Sequence, residues 1–255
     1  MHNLSNKTIL VTGASKGIGA AIVRRLGEAG ASVVAHYRTD CEGVEEATSA
    51  IPADRKHLVQ ANLADLDAVE RLWNVSAAWR GGLDVVVNNA AVLLWDGGMD
   101  QPVEAWDRVW DETLRVNVLA PARLIRQAVP HFLERGGGTI ISISSWAAQR
   151  GVTNPDTMAY GASKAAIRAA TQTVARAYAA QNILAYIIAP GVVRTRLSQQ
   201  FAETQGGEAV ISAGLASGRW VEPEEIAHTV AFLASGTAPQ LSGATLDMNG
   251  ASYIR

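Results

Sequence analysis

With one cysteine, Cys41, in 255 residues, the chain has no intrachain disulfide and none of the paired-cysteine spacings of a structural zinc site. A lone thiol is compatible with a reducing compartment. Charge of one sign is also missing. Its 22 Lys and Arg against 24 Asp and Glu leave a formal net charge of −2, which offers no electrostatic footprint for a nucleic-acid backbone or an anionic membrane. Long apolar runs are absent too: Met1–Lys7 is polar, and Ile9–Val11 is far too short for a signal-peptide core or a membrane span. The reading is a soluble, cytoplasmic protein. The five histidines, His2, His36, His57, His131 and His228, lack metal-ligand spacing, so no metal is assigned. What the chain does have is apolar side chain. Hydrophobic residues make up 48% and charged residues 18%, enough for one large core with a surplus that fits a subunit interface.

Short β-branched runs alternate with longer amphipathic stretches. Strands are expected at Thr8–Val11, Ser32–Ala35, His57–Gln60, Val85–Val87, Thr139–Ile143, Leu184–Ile188 and Thr245–Asp247. Helices are expected near Gly17–Glu28, Val44–Ser49, Leu66–Ala78, Val103–Glu134, Ala159–Gln181 and Glu224–Ala234. Repeated βαβ units predict an α/β protein with a doubly wound seven-stranded parallel sheet and helices on both faces. Strands such as Val85-Val86-Val87 lack polar alternation, as burial on both faces requires. No linker interrupts the pattern, so residues 1–255 read as one domain. Two segments fit poorly. Gly191–Arg219, with Gln199, Gln200, Gly206, Gly207, Gly214 and Gly218 among scattered apolar residues, reads as a flap over a site, at about residues 192–219. Gln149–Thr157 reads as a polar, Pro-containing loop that bulges.

After the first strand comes Thr12-Gly13-Ala14-Ser15-Lys16-Gly17-Ile18-Gly19, then a helical pattern. Glycines let backbone approach a pyrophosphate, and a helix N-terminus directs free N–H groups at that anion. A dinucleotide site usually places an acid about 20 residues further on, against the adenosine ribose. Here that place holds Tyr37, followed by Arg38, while Asp40 lies beyond the strand end and reads as a turn residue. A carboxylate would repel a 2′-phosphate; the Arg38 guanidinium, with Lys16 in the loop, would pair with one. The expected cofactor is therefore NADPH/NADP+ in preference to NADH.

Further pieces follow in order: Asn88-Asn89-Ala90-Ala91, Asn117, Ser144-Ser145, Tyr160-Gly161-Ala162-Ser163-Lys164, and Pro190-Gly191-Val192-Val193-Arg194-Thr195. With the glycine-rich turn they give a chain that resembles the short-chain dehydrogenase/reductase family over essentially its whole length, with the 3-oxoacyl-carrier-protein reductases as the most similar subgroup. The resemblance implies a Rossmann fold and reversible hydride transfer between nicotinamide and a carbonyl or secondary alcohol. Ala91 stands where the family usually has Gly, and Asn62, followed by Leu63, stands where it usually has an acid near adenine. Ser145 and Tyr160 are 15 positions apart, two more than usual in the family.

Tyr160 and Lys164 are four apart, so a helix projects both from one face, a cation beside a phenol. A nearby ammonium favours phenolate and would move the tyrosine toward the operating pH. By the resemblance, Tyr160 exchanges the proton, Lys164 holds the nicotinamide ribose and tunes the tyrosine, and Ser145 stabilises the developing alkoxide, with Ser144 the alternative if the register slips. Asn117 would hold a water relay to Lys164, or bond main chain as a buried amide. Cofactor contacts are expected from Gly13, Ser15, Lys16, Gly17, Ile18, Gly19, Tyr37, Arg38, Asn62, Leu63, Asn89, Ala90, Ala91, Tyr160, Lys164, Pro190, Gly191, Val193 and Thr195. Thr195 would meet the carboxamide, or cap a flap helix. Trp95, Trp146, Gln149 and Arg150, with Leu197, Phe201 and Leu215 of the flap, border the expected substrate site. Arg150 would select a carboxylate or be a solvated loop charge. Trp106 and Trp110 share a helix face, which suggests a helix-paired dimer or tetramer. The same residues would serve a sugar, polyol, steroid-like or aromatic alcohol dehydrogenase. A nucleotide-binding regulator without turnover has no need of the Ser145, Tyr160 and Lys164 set.

Overall fold

The computed structural model describes residues 3–204 and 206–254. Its seven strands are β1 (Thr8–Val11), β2 (Ser32–Tyr37), β3 (Lys56–Gln60), β4 (Val85–Asn88), β5 (Gly138–Ile143), β6 (Ile183–Pro190) and β7 (Thr245–Met248). They form one sheet in the order β3-β2-β1-β4-β5-β6-β7, all neighbours parallel. This is the doubly wound Rossmann arrangement. Strand order reverses between β1 and β4, and the crevice at that switch point is where such sheets bind ligands.

Alternate residues of each strand feed two cores. Ile9, Val11, Val85, Val87, Ile141 and Ile143 pack beneath α1 (Gly17–Glu28), α2 (Cys41–Ala47) and α10 (Pro223–Ala234). Leu10, Val86 and Ile140 pack on the other face beneath α3 (Leu66–Ala78), α5 (Ala120–Glu134) and α7 (Met158–Tyr178). An unbroken run such as Val85-Val86-Val87 is therefore what burial on both faces demands. Asp40 caps α2 by accepting from the Gly43 N–H, the turn role its position suggested.

The expected helix Val103–Glu134 is in fact three pieces: α4 (Val103–Leu114), a π turn at Arg115–Leu119, and α5. Pro121 has no N–H to give the Asn117 carbonyl four residues back, and the helix widens there. The Gln149–Thr157 loop is also more ordered than expected. It holds the end of a short helix, α6 (Ala147–Arg150), a left-handed turn at Gly151 (φ +75°) and a 3₁₀ turn at Pro155–Thr157 capped by Asn154. Between β6 and α10 lie α8 (Arg196–Thr204) and α9 (Glu208–Ala213), and a parallel bridge between Val193 and Val221 pairs the chain entering this segment with the chain leaving it. The side chains of Leu197, Gln200 and Phe201 fall outside the described residues. Among the described residues no helix is long and apolar enough to cross a membrane.

Candidate active site

Three buried hydrogen bonds join β5 to α7 and so place the proposed catalytic side chains. The Ser142 hydroxyl meets Thr171 Oγ1 at 2.8 Å, the Ser144 hydroxyl donates to the Lys164 carbonyl at 2.9 Å, and Lys164 Nζ donates to the Ile143 carbonyl at 2.8 Å. Ser144 is thereby turned into the α7 backbone. Ser145 is the serine beside Tyr160, and its Oγ also accepts the Ala147 N–H at 3.1 Å. Lys164 Nζ lies 5.6 Å from the centre of the Tyr160 ring. Burial pushes the Tyr160 phenol up, and the hydrogen bond with Ser145 pulls it back. Burial also lowers the Lys164 ammonium to about 8. Burial therefore dominates the tyrosine, where the four-residue spacing suggested that the ammonium would.

Asn117, held in the π turn, clamps the chain beyond β4. Its Oδ1 accepts from the Val92 N–H at 2.8 Å, and its Nδ2 donates to the Val92 carbonyl at 2.9 Å and to Ser163 Oγ at 3.1 Å. Ser163 Oγ in turn donates to the Tyr160 carbonyl. A cavity of about 10 Å³, near the size needed for one water, is lined by Thr12, Asn88, Asn117 and Lys164.

The glycine-rich turn sits on the other side of the switch point. Gly13 and Gly17 take φ of +68° and +53°, open only to glycine without strain. A side chain at Gly19 would run into the Gly13 carbonyl. Asn89 holds the turn in place, donating from Nδ2 to the Thr12 and Gly13 carbonyls at 2.8 and 3.1 Å. Thr12 Oγ1 accepts the Asn89 and Ala90 N–H groups, both at 3.0 Å. The helix α1 begins at Gly17 with no capping side chain, so its first N–H groups face the crevice without one. Ser15, Lys16 and Ile18 flank this opening, and the turn fits a dinucleotide diphosphate.

At the end of β2, Tyr37 is half-buried while Arg38 and Lys16 are exposed, and neither cation enters an ion pair among the described residues. Asn62 is exposed, its Oδ1 accepting the Ala64 N–H, and Leu63 turns its side chain into the core. Ala91 is exposed beyond Ala90. On the far side, the Pro190 carbonyl accepts the Trp146 N–H and Gly191 N–H donates to Met248. Val193 is buried. Thr195 caps α8, its Oγ1 accepting from the Ser198 N–H at 3.4 Å, and its methyl lies over Gly17.

The expected substrate border divides. Trp146 packs near Gly191, and the Arg150 guanidinium stacks 4.8 Å from the centre of its ring. Gln149 Nε2 donates to Asp247 at 2.9 Å. Trp95 is exposed and Leu215 half-buried. One residue that sequence reasoning passed over stands out. His36, which follows the apolar run Val33-Val34-Ala35 in a buried strand, is bonded at both ring nitrogens, to Gly13 and Ala61. Its place two residues before Arg38, in a strand whose neighbours need no polar group, was the available signal.

Comparison with known proteins agrees with this geometry. Residues 13–250 match the family model described as enoyl-(acyl carrier protein) reductase. The 3beta-hydroxysteroid dehydrogenase 1 of Eggerthella lenta is 36% identical over 252 residues, covering 97% of this chain and 94% of the relative. Dehydrogenase/reductase SDR family member 4 of Homo sapiens is 34% identical over 254 residues, covering 99% and 89%. Among solved structures, a Beutenbergia cavernae protein assigned as an NAD(P)-dependent gluconate 5-dehydrogenase, with NADP bound at low occupancy, superposes with a TM-score of 0.88 at 34% identity, covering 98% of each chain. A Rossmann sheet, a glycine-rich turn at its switch point and Tyr160 and Lys164 beside Ser145 thus meet in a chain that belongs to the short-chain dehydrogenase/reductase family of oxidoreductases.

Proposed function

We propose that the protein is an NADPH-dependent reductase and dehydrogenase that interconverts a carbonyl and a secondary alcohol, with Tyr160 as general acid and base. The observation that carries this reading is the half-buried phenol of Tyr160 hydrogen-bonded to Ser145 with Lys164 Nζ near its ring. A nicotinamide coenzyme supplies or takes the hydride. Tyr160 gives its proton to the carbonyl oxygen in reduction, and the burial that raises its pKa keeps it in the donor form. Ser145 donates to the same oxygen as negative charge develops. Lys164, fixed by Ile143, holds the nicotinamide ribose, and Asn117 keeps α7 in register through Ser163. Thr195, above the loop, takes the carboxamide, with Pro190, Gly191 and Val193 shaping that end.

Support for the phosphorylated coenzyme comes from Arg38 and Lys16, two cations without ion pairs among the described residues at the place where an acid would exclude a 2′-phosphate. Residues 192–219 act as the flap of a single domain. The substrate is a small carbonyl compound or alcohol, bordered by Trp95, Trp146, Gln149 and Arg150. Relatives of nearly equal identity are named for a steroid and for a sugar acid, so the sugar or polyol and steroid-like readings stand beside the 3-oxoacyl one. Self-association as a dimer or tetramer is supported by the paired rings of Trp106 and Trp110, 5.1 Å apart beside the exposed Val103. Its single, exposed Cys41 suits the cytoplasm.

The test follows nicotinamide absorbance with ketones, 3-oxoacyl thioesters, keto sugars and aromatic aldehydes, offering NADPH and NADH separately. Carbonyl-dependent oxidation of NADPH that disappears in Tyr160→Phe, with coenzyme binding retained, is the expected result. Turnover retained by Tyr160→Phe would remove the assigned acid and base, and equal use of NADH would remove the coenzyme preference. Coenzyme binding without turnover across the panel would favour a regulator.

A further inference from the structure

The last polar residue before the end of β2 is His36, 2% exposed among Val33, Val34 and Ala35. Its Nδ1 accepts the Gly13 N–H at 3.0 Å, which leaves the ring proton on Nε2, 3.1 Å from the Ala61 carbonyl. The His36 main-chain carbonyl accepts the next N–H of the turn, that of Ala14, at 2.8 Å. One residue thus fixes both N–H groups with which the turn begins. The later N–H groups, from Ser15 to Gly19, are left to face a diphosphate. Ala61 directly precedes Asn62 and Leu63, and its own N–H is held by the Tyr37 carbonyl at 3.0 Å. The ring therefore spans the two segments that would flank the adenosine half of a coenzyme.

We infer that His36 is a positioning residue for coenzyme binding: its imidazole ties the glycine-rich turn to the segment after β3 and so fixes their separation. The inference rests on the nucleotide reading of the turn but adds a residue to it. A ring bonded at one nitrogen only would brace one of the two loops. Bonded at both, it transmits the position of one to the other. Burial lowers the imidazole pKa to about 4, so at neutral pH the ring is uncharged and Nδ1 is free to accept.

The experiment measures dissociation constants for NADPH and NADH by nicotinamide fluorescence in the wild type, His36→Asn and His36→Phe, with thermal melts on each. Asn carries an oxygen able to accept from Gly13, whereas Phe fills the space without one. Phe is expected to weaken both coenzymes about tenfold, as loss of a buried acceptor predicts, and Asn to stay within about threefold. In steady state the Phe variant raises the coenzyme KM more than it lowers kcat. Equal losses in Asn and Phe would reduce His36 to packing and overturn the inference. So would a fall in kcat with unchanged coenzyme KM. Should the Phe variant not fold, nitrogen NMR of the wild-type imidazole decides. A neutral ring protonated at Nε2 and accepting at Nδ1 is expected, and the opposite tautomer overturns the inference. A wild type that binds neither coenzyme would instead sink the proposed function, and this inference with it.

Discussion

The β5–α7 seam and the segment between β6 and α10 both border the crevice, but they are held by different means. The seam is fastened by hydrogen bonds from Ser142, Ser144 and Lys164, all buried, between a strand and a helix that share a core. In α9 no residue is buried, and the helix is tied down by the half-exposed Arg194. That guanidinium reaches Glu208 at 2.6 Å and Glu222 at 2.9 Å and stacks 5.3 Å from the centre of the Trp220 ring. Buried bonds between core elements open only with global unfolding, whereas solvated ion pairs contribute little to stability. The difference teaches that groups needing fixed geometry sit where opening is costly. The proposed flap sits where opening is easy.

The most severe way to break the seam is Lys164→Met, which removes the bond to Ile143 and the cation beside Tyr160. Turnover is expected to fall by about 10² to 10⁴, the range typical of acid–base groups, as single-turnover kinetics would show. Less severe is acid. The imidazole of His36 is lowered from 6.5 to about 4, so between those values the unfolded chain binds more protons than the folded one. Stability is therefore complete above about pH 6.5 and falls as the pH drops toward 4, by about 3 kcal/mol in all. Urea denaturation at pH 7, 5 and 4 checks this, and His36→Asn should flatten the dependence. Next comes Arg38→Ala, expected to weaken NADPH about tenfold and leave NADH unchanged when binding is titrated at low salt. The smallest effect tests the other side of the comparison. With Glu208→Gln, the substrate KM should rise about twofold to threefold, the melting temperature should stay within about 2 °C, and added salt should erase the difference from wild type. A large loss of stability there would mean that α9 belongs to the core after all.

Most of the fold was legible because its signals are local. Runs such as Thr8–Val11 and Val85–Val87 announce buried strands, and Gly13, Gly17 and Gly19 announce a turn that side chains would block. Tyr160 and Lys164 were legible for the same reason, since helical spacing puts them side by side. What escaped depends on partners far along the chain. His36 and Gly13 are 23 residues apart, Asn117 and Val92 are 25 apart, and Gln149 meets Asp247 across 98. No local pattern encodes those meetings. Ser144 and Ser145 show the limit clearly. They are chemically identical neighbours, and only the pleat at the end of β5 turns one into the α7 backbone and the other toward Tyr160. The break in the long helix was missed because an amphipathic pattern does not register one wider turn, although Pro121 lay in plain view.

That wider turn makes length a message in its own right. A π turn holds more residues than an α turn does, so α4 and α5 lie on one axis with their faces out of phase. Deleting a single residue between Arg115 and Leu119 would leave composition and hydropathy almost untouched. Yet it would take away the extra residue that widens the turn, closing it toward an α turn and moving Asn117 from its place. Asn117 would then lose Val92 and Ser163, while Leu124, Ala128 and Phe132 kept their core. Surface loops of this protein can absorb a changed residue count, but this helix has to keep its tally.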